Sequence, residues 1–223
     1  MFFQEFSGIN CILFYSAYIF QWTGIGWKGD TSEARDNAKA SALSVSGTLF
    51  LFTILSCFLV DRVGRRKLLL FGSVAMSLAL LSDGIIGCYF HGSTPTPLAS
   101  KFSLFNTLLF IATYSIGWGP LPWLLMSELF PLKTRGVATS IVTCANWLFV
   151  FTTTLSYCAI NHHVHLYGTF FIFMGVVMLG FVFVWLFLPE TGGRPLEDVS
   201  ELFLRRRLVQ INIPWFRYTS LEG

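Results

Sequence analysis

The sequence predicts an all-α membrane protein with six transmembrane helices, and three observations carry that prediction. Hydrophobic residues make up 54% of the 223 and charged residues only 12%, about half the charge of a typical soluble domain. The apolar residues gather into six runs, each near the roughly 20 helical residues that cross a bilayer core. None alternates polar with apolar, as the strands of a membrane barrel do. Finally, Lys and Arg divide unevenly: eleven fall at one set of helix ends and loops, four at the other. The positive-inside rule places the first set in the cytoplasm, and six spans then bring both termini to that side. The formal net charge of +3 suggests no nucleic-acid partner; the partner implied is the lipid bilayer.

The first run, Phe2–Trp22, is interrupted at Ser7-Gly8-Ile9-Asn10. Its start lacks the basic segment and small-residue cleavage site of a signal peptide. Gln4 and Asn10 stand six residues apart, roughly 120° off a shared face on a regular helix. A break at Gly8 would turn both towards one cavity; without one, they act as polar contacts between neighbouring helices. Residues 23–39 form a charge-balanced outer loop.

The second run, Ala40–Val60, and the third, Lys67–Phe90, are joined by a short cytoplasmic connection, Asp61-Arg62-Val63-Gly64-Arg65-Arg66. On charge count alone this reads equally as positive-inside anchoring; the tight spacing of the acid and arginines, with Gly64 at the turn, argues for a further role. In the third run Asp83 lies roughly 24 Å from Lys67 at 1.5 Å per residue. That depth predicts a carboxylate reaching the outer headgroups.

The fourth run, Leu104–Ser127, is the most irregular. Gly117, Gly119, Pro120 and Pro122 fall near its middle, Trp123 follows directly, and Glu128 closes it. Two prolines remove backbone donors. In hydrocarbon such a break is tolerated only where the freed groups face protein or a wet cavity. The fifth run, Arg135–Ala159, carries Asn146-Trp147 near its middle; a buried amide there needs a partner, either another helix or a substrate. The sixth, Tyr167–Leu188, is followed by Glu190 and a glycine turn. Residues 1–190 thus form the membrane unit, and 191–223 a cytoplasmic tail with a short amphipathic helix carrying Arg205, Arg206 and Arg207.

Several chemistries find no support. The five cysteines are scattered through apolar stretches, without metal-ligand spacing, and the His162-His163-Val164-His165 loop lacks a neighbouring carboxylate or thiol. No cofactor or metal is implied. There is no HExxH and no nucleophile–base pattern, so an enzyme is not expected, nor is a filter-like channel loop present.

Together the motifs Q-x-x-S-G-I-N at 4–10, F-Y-S-x-x-I-F at 14–20, D-R-x-G-R-R at 61–66, G-W-G-P-L-P-W-L-L-M-S-E-L-F-P at 117–131, Arg135-Gly136, Asn146-Trp147 and P-E-T-x-G-R at 189–194 closely resemble the C-terminal half of the sugar porters of the major facilitator superfamily. The wording at 117–128 resembles the class III facilitated hexose transporters of animals. That family has two six-helix halves with sugar bound between them. The resemblance therefore implies a C-terminal six-helix bundle, a hexose substrate, facilitated transport by alternating access and a missing N-terminal half as partner.

The resemblance also implies site residues. Gln4, Asn10, Trp123, Asn146 and Trp147 would contact the sugar, Tyr15 would belong to the outer gate, and Asp61, Arg65, Arg66, Glu128, Arg135 and Glu190 would form the inner charge cluster. The plasma or an endosomal membrane is the expected location. The chain departs from the family in carrying Glu5 where a second glutamine is common, and in lacking an amide near Leu49 and an acid near Ser115. Two alternatives follow: a non-transporting fragment that binds or modulates a full-length porter, and a proton-coupled polyol or inositol porter.

Overall fold

The computed structural model describes residues 1–16, 32–90, 96–130 and 134–188. All regular structure among them is helical: α1 (Phe2–Glu5), α2 (Ile9–Phe14), α3 (Ser32–Val63), α4 (Arg65–Tyr89), α5 (Pro97–Ile116), α6 (Leu121–Leu129) and α7 (Arg135–Phe187). Among the described residues, five stretches are long and apolar enough to cross a membrane: Ala42–Val63, Arg65–Tyr89, Leu98–Leu129, Arg135–Tyr157 and Tyr167–Phe187. This is an integral, multi-pass, all-α membrane protein. Residues 17–22 of the first predicted run, much of the outer loop, Glu190 and the tail 191–223 lie outside the described residues.

The local chemistry explains where helices begin and turn. α3 passes into α4 through one residue, Gly64, with φ 95° and ψ 151°; a side chain would be strained at that positive φ. α5 opens with Pro97 as its first helical residue, and the Thr96 hydroxyl accepts a bond from the Ala99 N–H at 3.3 Å, a cap that satisfies one of the orphan donors of a helix start. α7 is two spans joined at a bend, where His165 takes the non-helical values φ 59° and ψ 170°.

α4 is the central helix. It packs most extensively against α7 and next against α5, while α5 also covers α3 and the short α1 and α2 lie on α7. Met76, Leu80, Phe110, Ile111, Leu121 and Val177 fill the space between them. Trp118 ties α5's end to α4, its Nε1 donating to Ser73 Oγ at 2.8 Å and to the Leu69 carbonyl at 3.3 Å. Coverage is uneven: about half of α4 and of the α5–α6 span is buried, against 17% of Ala42–Val63 and 11% of Arg135–Tyr157.

Asp83 departs from expectation. It is 3% exposed and does not reach the headgroups. Asn106 Nδ2 donates to it at 3.4 Å and Thr107 Oγ1 at 3.3 Å, and Ser103 hydrogen-bonds it as well. The physical reason is direction. Depth along the axis places Asp83 near the membrane edge, but its face of α4 is the one covered by α5, which supplies three polar partners. A buried carboxylate is tolerated where its oxygens are satisfied in this way.

Candidate functional site: two broken helices and an amide cluster

The first break separates α1 from α2. Gly8 sits at φ 87° in the left-handed region, and a Cβ added there would come within 2.2 Å of the Phe173 ring. Only glycine meets both demands. Ser7 Oγ donates to the Gln4 carbonyl at 2.7 Å, satisfying a backbone acceptor left over as α1 ends.

The second break lies between Ile116 and Leu121. Pro120 has no N–H to offer the Ile116 carbonyl four residues earlier. Ser56 of α3 takes that place, its Oγ donating to Ile116 O at 2.6 Å. The Gly119 N–H reaches back five residues to the Tyr114 carbonyl at 2.8 Å, a wide, π-like turn. The Gly119 carbonyl accepts from Gln4 Nε2 at 3.1 Å, and the same amide nitrogen donates to Tyr114 Oη at 3.2 Å. The two breaks are therefore bonded to each other. Groups freed from the helix face protein, as a hydrocarbon environment requires.

Beside this junction the polar side chains converge. Asn10 Nδ2 donates to Glu5 Oε2, and Asn146 from α7 hydrogen-bonds the same carboxyl group. Gln4, Glu5 and Asn146 are all buried. Two amide oxygens, Gln4 Oε1 and Asn146 Oδ1, are buried without a hydrogen-bond partner. Unpaired buried acceptors are uncommon in a finished structure, and both suit a hydroxyl donor.

The structure thus brings Asn10 and Asn146 onto the Glu5 carboxyl group, while the neighbouring Gln4 bonds the second break. The aromatic candidates stand apart. Trp123 is 38% exposed on α6 and Trp147 66% exposed on α7. Tyr15 stacks on Tyr157 with ring centroids 4.5 Å apart. Tyr15 and Trp147 share a groove of about 480 Å³ with Phe14, Val150, Phe151, Thr154 and Leu155.

A second polar group lies at the ends of the helices, where the charged side chains meet. Arg65 Nη2 lies 3.1 Å from Asp61 Oδ1 and 3.3 Å from Glu128 Oε1. Arg65 and Glu128 are each 14% exposed, Asp61 76%. Arg66 Nη2 donates to the Trp185 carbonyl at 2.6 Å, and Arg135 Nε to the Phe130 carbonyl at 3.2 Å. The ends of α3, α4, α6 and α7 are pinned together by these contacts. Three residues that sequence reasoning passed over prove structural: Ser56, Tyr114 and Trp118. Pro120 signals that Ile116 O needs a donor, but nothing in the sequence points to Ser56 as the one supplying it.

Bundled apolar helices, two of them broken and bonded to each other through the Gln4 amide, make up a multi-pass membrane unit. The chain belongs to the sugar porter family of the major facilitator superfamily: residues 1–203 match the family described as "Sugar (and other) transporter". The facilitated trehalose transporter Tret1 of Apis mellifera ligustica is 35% identical over 203 residues, 91% of this chain and 38% of its own length. Trehalose transporter 1 of Drosophila melanogaster is 34% identical over 209 residues, 92% of this chain and 23% of its own length. Among solved structures, the proton:xylose symporter XylE bound to 6-bromo-6-deoxy-D-glucose superposes with a TM-score of 0.76 at 27% identity, covering 91% of this chain and 41% of that one. The inward-open form of XylE from E. coli gives 0.71 at 27% identity, covering 90% and 39%. The chain spans between about a quarter and two fifths of the proteins it matches.

Proposed function

We propose that this chain is the C-terminal six-helix half of a facilitative sugar porter and forms one wall of its sugar cavity. The observation that carries the reading is the convergence of Gln4, Asn10 and Asn146 beside two helix breaks, with two buried amide oxygens left as acceptors. A hexose ring offers hydroxyl donors to such acceptors. Trp123 and Trp147 supply flat faces for the ring's C–H surface once the opposing half closes over them. Names of the relatives support a glucose-based sugar as the cargo.

Alternating access requires two halves rocking around a fixed site. The sparse coverage of Ala42–Val63 and Arg135–Tyr157 leaves apolar faces for that second half and for lipid. Asp61, Arg65, Arg66, Glu128, Arg135 and Glu190 act as the inner latch, since charge-assisted pairs are geometrically specific and re-form readily. Tyr15 belongs to the outer gate. Both termini are cytoplasmic, and the host is the plasma or an endosomal membrane.

The test is uptake of labelled glucose into proteoliposomes. This chain reconstituted with an opposing six-helix half is expected to give saturable flux, abolished by Asn146→Ala; the chain alone is expected to give none. Saturable flux from the chain alone would overturn the half-porter reading. Co-purification with a complete porter, without uptake in any combination, would favour a modulating fragment.

A further inference from the structure

We infer that Asp83 is a proton-binding site, reached from the end of the bundle away from Arg65 along a line of hydroxyls on α5. Asp83 is enclosed between apolar helices, and Ser103, Asn106 and Thr107 satisfy its oxygens, but no charged group acts on its carboxyl. Towards this end α4 itself carries Cys88 and Tyr89, α5 carries Lys101, and α7 carries His162, His163, His165 and Tyr167. Lys101 and the three histidines are exposed, and neither these groups nor the charges of α3 act on Asp83. An isolated carboxylate in an apolar interior costs far more than the neutral acid, and acids inside membrane spans mark ion and proton sites. A proton removes the charge, and the same partners serve both forms, because a hydroxyl donates to a carboxylate and accepts from an acid. Binding adds one proton from water to the carboxylate and leaves an uncharged carboxyl group, with no other group altered.

The route lies along α5. Thr96, Ser100, Ser103 and Thr107 recur at spacings of four, three and four, which keeps them on one face of a helix. Thr96 is exposed, whereas Ser100, Ser103 and Thr107 are buried. Ser100 Oγ donates to the Thr96 carbonyl at 3.2 Å, and Ser103 hydrogen-bonds Asp83. From Thr96 to Ser103 the rise is roughly 10 Å. Small residues on such a face also let helices approach closely, but this face ends on an acid, and each hydroxyl both donates and accepts, as handing on a proton requires. α5 is thereby tied to α4 at two points, at Asp83 and where Trp118 meets Ser73 and Leu69. The proton sets how firmly the first half of α5 seats on α4.

The experiment follows the melting temperature of the full chain in detergent from about pH 5 to about pH 9, above the ordinary carboxylate range. The folded bundle holds a proton that the unfolded chain releases, so stability falls as pH rises, by up to about 3–5 °C per pH unit. Asp83→Asn, uncharged at every pH, is expected to lose that slope, and replacement of His162, His163 and His165 by Gln is expected to keep it. The infrared band of protonated carboxyl groups at about pH 7 is expected to lose one component in Asp83→Asn, and that component is expected to exchange with deuterium more slowly in Ser100→Ala. Ser103→Ala keeps the acid and is expected to shift the same component, so the test stands even where Asp83→Asn does not fold. The same slope in parent and Asp83→Asn, or a band that neither Asp83→Asn nor Ser103→Ala alters, would overturn the site. A slope lost with the histidines would move the proton to them, and a melting temperature raised at high pH by sodium but not by choline would replace the proton with a metal cation. Unchanged exchange in Ser100→Ala would overturn the route.

Discussion

The side-chain amide of Gln4 lies 3.1 Å from the Gly119 carbonyl oxygen, so a residue of one broken helix caps the break in another. It also donates to Tyr114 Oη at 3.2 Å. Replacing it by Leu keeps the volume but leaves the part-buried Gly119 O without that donor. Gln4→Leu is expected to cost about 1–3 kcal/mol of stability, read as a lowered melting temperature in detergent. Tyr114→Phe, which removes one acceptor and leaves Gly119 paired, is expected to cost less.

Ser56 supplies the donor that Pro120 removes from Ile116. Ser56→Ala leaves the carbonyl unpaired in an apolar setting, with an expected loss of about 1–3 kcal/mol. Ser56→Thr keeps the hydroxyl and is expected to restore most of it. If Thr and Ala melt alike, the hydroxyl is not what holds the break.

Gly8 meets two constraints at once, a φ of 87° and the Phe173 ring 2.2 Å from any added Cβ. Gly8→Ala is expected to destabilise by more than the roughly 1–3 kcal/mol of backbone strain alone. Adding Phe173→Ala clears the ring but not the dihedral, so the double variant is expected to recover only part of the loss relative to Phe173→Ala. Full recovery would mean that the backbone angle is immaterial.

Arg65 meets both Asp61 and Glu128. Because the three share one guanidinium, Arg65→Gln and Glu128→Gln are expected to be non-additive, with a coupling of about 0.5–3 kcal/mol. A double-mutant cycle of melting temperatures measures it. In reconstituted porter the same variants are expected to weaken the latched state, seen as faster labelling of a cavity cysteine from the cytoplasmic side.

Glu5 receives a bond from Asn10 and bonds Asn146. Glu5→Gln replaces an acceptor-only group by one that also donates, so the amide cluster would present a different set of partners to sugar. A changed order of preference among glucose, trehalose and xylose is expected, with uptake following the same pH profile as the parent. An unaltered preference would show that Glu5 does not select the sugar.

Local chemistry was the legible part of this molecule. Glycine at position 8 and the pair of prolines at 120 and 122 announce interruptions because their limits are intrinsic to the residue, and both interruptions are present. Partners across the bundle were not legible. Gln4 and Gly119 stand 115 residues apart, and no pattern along the chain joins them. Asp83 shows the same limit differently: rise per residue gives its depth, but only the packed neighbour α5 decides that it is enclosed. Among the candidate residues, Asn10 and Asn146 meet on Glu5, a partner that no spacing along the chain specifies, whereas Trp123 and Trp147 are exposed on faces of α6 and α7 that the spacing alone does not orient.

Gly64 is the whole connection between α3 and α4, and a joint of one residue has no slack. The two helices cannot slide past one another along the membrane normal; they can only lean together. A thicker or thinner bilayer is accommodated largely by tilt, so the pair would answer a change in lipid as a single lever, with Arg65 at its pivot. The composition of the surrounding membrane would then set the tilt of both helices together, and with it the geometry in which Arg65 meets Asp61 and Glu128.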